Sequence, residues 1–465
     1  MTYLPDLVVR GRRIVTARGI HPGAIHIRNG RIIGILDIDD VPAGCPVDDA
    51  GADVVLPGLV DTSVHVSEDG QMSPEDFDTA TRAAAAGGVT TIIGMPFQGA
   101  RSTTTVGALE SACWVAEGHC FVDVGFWGAV VPGNESVLAS LFEAGVLGFH
   151  CVLLTSDAAA AMSEADLRRS MPALTRLGAP LLAHAELPGP IERAAALQPG
   201  HRGWTARIPG LSRASRRYAA YLESRPKEAE NEAIALLIQL CQESGLPIHI
   251  AHLSSSDALT PIYRARSARL PISAGTCPHY LFFAAEEIPD GAVEYKCAPP
   301  IRERANRELL WAALAGGLIR SVASDHRPAS ASTGSRSFLE ARSGIASLQL
   351  GLSIVWTEAG ARNYTIEQIV RWMCQSPAQL AGLTRKGSIE VGYDADLVVF
   401  DPDAELVVDA GRLYDRPAST PYQGRRLRGV VRRTYLRGAK TCENGTASPE
   451  ARGSLLLRRR TSGVY

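Results

Sequence analysis

The spacing of apolar and polar positions divides the chain into two kinds of stretch. Towards both ends it runs in short alternating or apolar segments bounded by turn residues. Asp6–Val15, Ala24–Arg28 and Arg31–Leu36 read as strands, and Asn29-Gly30 between the last two is a strong hairpin signal. A similar signature returns at Ala395–Phe400 and Gly429–Arg437. Between these regions helices alternate with strands. Ser73, followed by Pro74, Glu75 and Asp76, predicts a helix start, and Gly87-Gly88 its end, before a strand at Val89–Met95. Asn134 predicts the cap of a helix ending at Gly145, with Val146–Leu154 as the next strand. Ser163 with Asp166 three residues on predicts a capping box, and the helix ends at Gly178 before the strand Pro180–Ala185. Pro226–Gly245 and Asn306–Gly316 read as helices, each leading into a strand, Pro247–Leu253 and Leu318–Ala323.

Repeated units of this length imply parallel strands. Their number favours an α/β fold of the closed (β/α)8 type, the TIM barrel, with a doubly wound open sheet as the alternative. The expected organisation is a small β-sandwich from residues 1–57 plus 386–450, a barrel over 58–385, and a C-terminal tail over 451–465.

Composition narrows the function classes. At 465 residues, 46% hydrophobic and 21% charged, the chain can bury a large core. A formal net charge of −2 argues against nucleic-acid binding, and Arg458-Arg459-Arg460 reads as a short solvated tail. The nine cysteines are odd in number and lack CxxC spacing, which favours reduced thiols and a cytoplasmic protein. No apolar run approaches the roughly 18 residues of a membrane span.

The chemistry-bearing residues fall in one kind of place. His65, His150, His184, His252 and Asp325 all lie in or at the carboxyl ends of predicted strands. Those ends converge on one mouth in a parallel barrel. A lone histidine at a strand end is ordinarily a packed or solvated side chain, but five such residues point to a shared metal site.

Several stretches carry a resemblance to the allantoinases, within the group that also holds dihydropyrimidinases and dihydroorotases. They are Thr81–Thr91 (TRAAAAGGVTT), Met95-Pro96, Asp123–Asn134 (DVGFWGAVVPGN), Gly145–Phe149 (GVLGF), Leu182–Glu186 (LAHAE) and Ile250–Ser255 (IAHLSS). Cys277–Leu281 (CPHYL), Lys296–Arg302 (KCAPPIR), Ser324–His326 (SDH), Gly392–Phe400 (GYDADLVVF) and Thr420–Gly429 (TPYQGRRLRG) continue it. The resemblance implies a metal-dependent barrel with a split β-sandwich, often tetrameric, that hydrolyses cyclic amides. It further implies a homo-oligomer, tetramer or dimer, with a small cyclic amide or ureide as partner.

The departures from that pattern are as informative. The family's first strand reads Asp-x-His-x-His, whereas Asp61-Thr62-Ser63-Val64-His65 has a serine at the first histidine position. The bridging carboxylated lysine is replaced by His150. His65, His184, His252 and Asp325 match the remaining ligands. The loop after the first strand (Glu68-Asp69-Gly70-Gln71) departs, Gln98 stands for an asparagine, and Arg342-Ser343-Gly344 stands for Trp-Gly-Gly. A carbamate lets two divalent ions sit roughly 3.5–4 Å apart, and a neutral imidazole does not bridge in that way. His150, His184 and His252 still make a three-histidine set suited to one Zn2+ with water, although these ligand types also accept iron or manganese. A second ion is not expected. Asp325 is expected to carry the proton from water to the leaving nitrogen. Ser63, Gln98, His279, Cys297, Ser324 and His326 are expected near substrate, although Cys297, like Cys151 and Cys277, reads equally as a buried small apolar residue. Two other functions compete: a catalytically inactive paralogue serving as a structural or regulatory subunit, and a relative that closes such a ring.

Overall fold

The computed structural model describes residues 4–66, 76–96, 102–154, 161–197, 215–328, 337–415 and 420–458. The predicted strands near the two ends meet in one nine-stranded sheet. Its central seam is the antiparallel pairing of Val54–Pro57 with Leu397–Val407, which joins segments more than 300 residues apart in the chain. On the N-terminal side, Leu7–Thr16, Gly19–Arg28 and Arg31–Leu36 form an antiparallel meander. Asn29 and Gly30 both have positive φ, 49° and 74°, the conformation that a tight two-residue hairpin requires. A separate small core (Val9, Ile14, Ile25, Ile32, Val55, Leu397, Val399 and Tyr435) draws its residues from both ends.

The barrel follows directly from the last N-terminal strand of that sheet. Its strands are Leu59–Val64, Val89–Gly94, Asp123–Phe126 continued by Gly128–Ala129, Phe149–Val152, Leu181–His184, Ile248–Ile250, Ile272–Thr276 and Ser321–Val322. All neighbouring pairs are parallel. The ring closes where Val64 bridges His326: His65 N donates to His326 O at 2.8 Å, and His326 N donates to Ser63 O at 3.2 Å. The closed barrel, rather than the open sheet, is the architecture. Trp127 interrupts the third strand and is fully buried, its Nε1 donating to Thr62 O at 2.9 Å across to the first strand.

Local signals behave unequally. The Ser163–Asp166 capping box forms as expected and starts the helix Glu164–Leu177. That helix and Lys227–Ser244 end on Gly178 and Gly245 in the left-handed conformation, φ 61° and 71°, where a glycine carries no Cβ penalty. The helix Phe77–Ala86 is capped by Asp76, whose side chain accepts from Thr79 N; Ser73 lies outside the described residues. Asn134 does not cap its helix. Its amide instead braces the preceding loop, accepting from Val131 N and donating to Ala129 O, and the helix Leu138–Ala144 begins after a short 3-10 turn. The barrel strands are shorter than predicted at both ends: Val146–Leu154 is a strand only over Phe149–Val152, and Leu318–Ala323 only over Ser321–Val322.

The described part of the C-terminal segment is docked rather than a solvated tail. Val124 N donates to Ser454 O and Leu456 N to Val124 O, which adds backbone pairing alongside the third barrel strand. A Cβ on Gly453 would lie 2.0 Å from Val122 O, so only glycine fits this approach. Arg458 lies over the Phe142 ring at 3.9 Å. No helix among the described residues is long and apolar enough to cross a membrane.

Candidate active site

The ends of the barrel strands bring the expected residues to one mouth. His65 follows the first strand, His150 lies on the fourth, His184 ends the fifth, His252 follows the sixth, and Asp325 follows the eighth. They are close enough to act on one another. The charge state of His150 responds to His252, His184 and His65, and that of Asp325 to His65, His252 and His279.

Burial sets the protonation of this cluster. It lowers the pKa of His65, pushes His150 well below the usual histidine range, and brings His252 to about 4. These imidazoles are neutral near pH 7 and keep a lone pair for a ligand. Burial alone would raise Asp325, but His65 beside it, with His252 and His279 nearby, holds the carboxyl well below the usual carboxylate range. Asp325 is therefore an anion among neutral rings. Its φ of 48° lies in the left-handed region, a conformation that aspartate tolerates better than most residues and that functional sites often hold.

Ser63 does not face an open ligand position. Its Oγ donates to Asp325 Oδ1 at 3.1 Å, and His65 Nε2 lies 3.7 Å from the same oxygen. Below them, Asp61 ties the first strand to the eighth: its carboxylate accepts from Ser63 N at 3.1 Å and from Ser324 N at 3.0 and 3.2 Å. His184 stands in a second chain of contacts. Its Nδ1 lies 3.1 Å from His252 Nε2, and its Nε2 lies 2.9 Å from Glu186 Oε2. Glu186 is fully buried and accepts from Arg225 at 2.9 Å. Burial would raise its pKa, but Arg225, the His184 hydrogen bond and Arg302 hold it at about 2.

Glu186 therefore contributes stability that is present above the ordinary carboxylate value of 4.5 and is lost as pH falls towards 2. Glu186→Gln should cost on the order of 3 kcal/mol near neutrality, and the gap to wild type should narrow as pH is lowered. Urea unfolding of both proteins from pH 7 to pH 3 measures this, and a gap that does not change with pH would contradict it.

The residues expected near substrate divide into groups. Gln98 lies outside the described residues, as does the loop 68–71. Ser324 is committed to the frame, since its N–H goes to Asp61 and its carbonyl accepts from Ser347 Oγ at 3.0 Å. His326 is a post between segments: it is 0% exposed, and its Nδ1 accepts from Ser347 N and Leu348 N at 3.1 and 3.2 Å. Both are drawn inwards because barrel closure needs their hydrogen-bonding groups. Cys297 is buried, and its carbonyl accepts from Tyr221. His279 is 0% exposed, and neither ring nitrogen has a hydrogen-bond partner.

His279 is also part of the tightest donor group. Among the described residues, one set of three or more His, Cys, Asp or Glu donors has all its ligand atoms within 4.8 Å of one another: Cys277, His279 and Asp325. In sequence Cys277 reads as a buried small residue; its signal is its place, with His279, directly after the seventh strand. Glu186 sits two residues beyond His184, where the strand ends, whereas Arg225 has no local signal at all. A cavity of about 1110 Å³ exists elsewhere, lined by Asp123, His249, Lys386 and Arg437, and holds none of these mouth residues.

The mouth carries donor types that suit a divalent cation, but the expected ligands His65, His150, His184, His252 and Asp325 do not converge as a set: among the described residues only Cys277, His279 and Asp325 bring their ligand atoms within 4.8 Å of one another. The mouth offers neutral imidazoles, one carboxylate anion, a buried His65 Nδ1 with no partner, and facing His184 and His252 nitrogens that together can share a single proton. It does not offer the bridging anion that would pair two ions in the family manner, because His150 stands in that position.

Comparison with known proteins identifies the family. The model of the Amidohydrolase family matches residues 54–440. The chain is 44% identical over 456 residues to an allantoinase of Streptomyces avermitilis, covering 97% of this chain and 99% of that protein. It is 38% identical to an allantoinase of Saccharomyces cerevisiae, covering 87% of each. Among solved structures, an L-hydantoinase (dihydropyrimidinase) from Arthrobacter aurescens superposes with a TM-score of 0.88 at 29% identity, covering 97% of this chain and 100% of that one. From the barrel, the mouth and these matches together, the chain belongs to the amidohydrolase family as an allantoinase-like member.

Proposed function

We propose that the chain opens the ring of a cyclic ureide by hydrolysing a C–N bond, with allantoin as its substrate. The observation that carries this reading is Asp325, a buried carboxylate held anionic in a mouth of neutral histidines. The 44% identity to an allantoinase supports the substrate.

In this reading His150, His184 and His252 would hold one divalent ion, zinc, by drawing closer together than they stand here. Such an ion supplies Lewis acidity, lowering the pKa of water and polarising a ring carbonyl. Asp325 accepts a proton from the attacking water as its oxygen bonds to the carbonyl carbon. It then delivers that proton to the ring nitrogen as the C–N bond breaks, leaving a ureido acid. Ser63 and His65 steady the carboxylate through Oδ1. Glu186 and Arg225 orient His184, a form of outer support that typically matters 10–100-fold in metal affinity.

The test is ring opening by the zinc-loaded chain, offered allantoin, hydantoin and dihydrouracil in parallel. The reading expects the highest kcat/KM with allantoin. Turnover of hydantoin alone would overturn the substrate assignment. No turnover of any ring would give first place to the inactive assembly subunit, which the Ser63 and His150 substitutions favour.

A further inference from the structure

We propose that Cys277, His279 and Asp325 form a second metal position in this mouth, one that takes a thiophilic divalent ion through a thiolate, an imidazole and a carboxylate. The three donor atoms lie within 4.8 Å of one another. Two ligands of one zinc ion can be separated by at most the sum of their bonds, about 4.1–4.5 Å. In tetrahedral geometry the ligand atoms lie roughly 3.3–3.8 Å apart, so side-chain adjustments of up to about 1 Å bring the three onto one ion.

An independent observation points to a ligand. Both His279 ring nitrogens are buried without a hydrogen-bond partner, although a buried polar group normally finds one. The ring is packed edge-on to Tyr280, with centroids 4.3 Å apart, which fixes it in place. Cys277 precedes the short helix Pro278–Phe282, so the thiol and the imidazole leave the seventh strand together. On the eighth strand's side, Ser63 and His65 both address Oδ1 of Asp325. A thiolate and a carboxylate balance the charge of a divalent ion, and loading releases the thiol proton to solvent.

This position adjoins Ser63 through their common contact, Asp325. It shares Asp325 with the preceding functional reading but none of His150, His184 and His252, so metal loading here is tested apart from turnover.

The experiment is titration of the metal-free full-length chain with Co2+ under anaerobic conditions, followed by absorption spectroscopy. A thiolate ligand gives Co2+ an intense near-ultraviolet charge-transfer band that nitrogen and oxygen ligands lack. Wild type should bind two equivalents and show the band. Cys277→Ser should lose the band and one equivalent, whereas His184→Ala should keep the band. His279→Gln guards against a folding defect in the cysteine variant, and should weaken the band-forming step at least tenfold with an unchanged far-ultraviolet circular dichroism spectrum. No band in wild type, or a band that survives Cys277→Ser, would overturn the proposal. A band without the histidine-bound equivalent would uphold this position while refuting the three-histidine ion.

Discussion

Replacing Asp325 by asparagine is expected to lower kcat on a cyclic ureide by about 10²–10⁴-fold, the range typical for loss of a positioned acid–base group. The substitution keeps the local packing, although it would also weaken the proposed position of Cys277, His279 and Asp325. Asparagine has the same shape, its Oδ1 still accepts from Ser63 Oγ, and it tolerates the φ of 48° at this position. What disappears is the negative charge that takes the proton from water. By the same linkage that applies to Glu186, losing this carboxylate also gives up stability near neutrality, so the variant should melt below wild type while remaining folded. Steady-state kinetics beside a thermal melt decide the matter. A kcat within fivefold of wild type, in a folded variant, would remove Asp325 from the proton path and leave the histidines to account for it.

The second large effect lies far from the mouth. Lys386→Met is expected to destabilise the chain by about 3–5 kcal/mol, because it removes one partner from a buried ionic network. The Lys386 ammonium is almost wholly buried and lies 2.7 Å from Asp123, 2.6 Å from Asp396 and 3.2 Å from Asp394. Burial alone would lower its pKa, but the three carboxylates hold it well above the usual lysine value. Asp123 belongs to the third barrel strand, whereas Asp396 immediately precedes the terminal-sheet strand Leu397–Val407. Asp123 also accepts from Arg437 and from Ser454 N, and so gathers the docked C-terminal segment as well. Methionine fills much of the same volume, which isolates the charge from the packing. With a total stability of about 5–15 kcal/mol expected for a domain, the loss should be plain in urea unfolding. A cost below about 1 kcal/mol would mean that the attraction only offsets the desolvation of the four groups.

The amino-acid sequence by itself determined the alternation of helices and strands, the hairpin at Asn29-Gly30, the capping box at Ser163 and Asp166, and the helix ends at Gly178 and Gly245. Each depends on the periodicity, caps and turn conformations of a few neighbouring residues, so each could be read locally. It also put His65, His150, His184, His252 and Asp325 in or at the carboxyl ends of strands, because those ends can be read from local pattern, but not the distances between them. Local signals failed where a side chain had a more distant use, as when Asn134 braced a loop in place of capping a helix. Only the tertiary structure decided what the mouth residues touch. Ser63 turns onto Asp325, Ser324 and His326 turn inwards to serve closure of the ring, and Cys277 and His279 come within ligand reach of Asp325. Lys386 meets Asp123 across 263 positions of sequence. Such contacts depend on strand register and on how the barrel closes, and a buried hydrogen bond or ion pair takes its partner from whatever closure brings within about 3 Å.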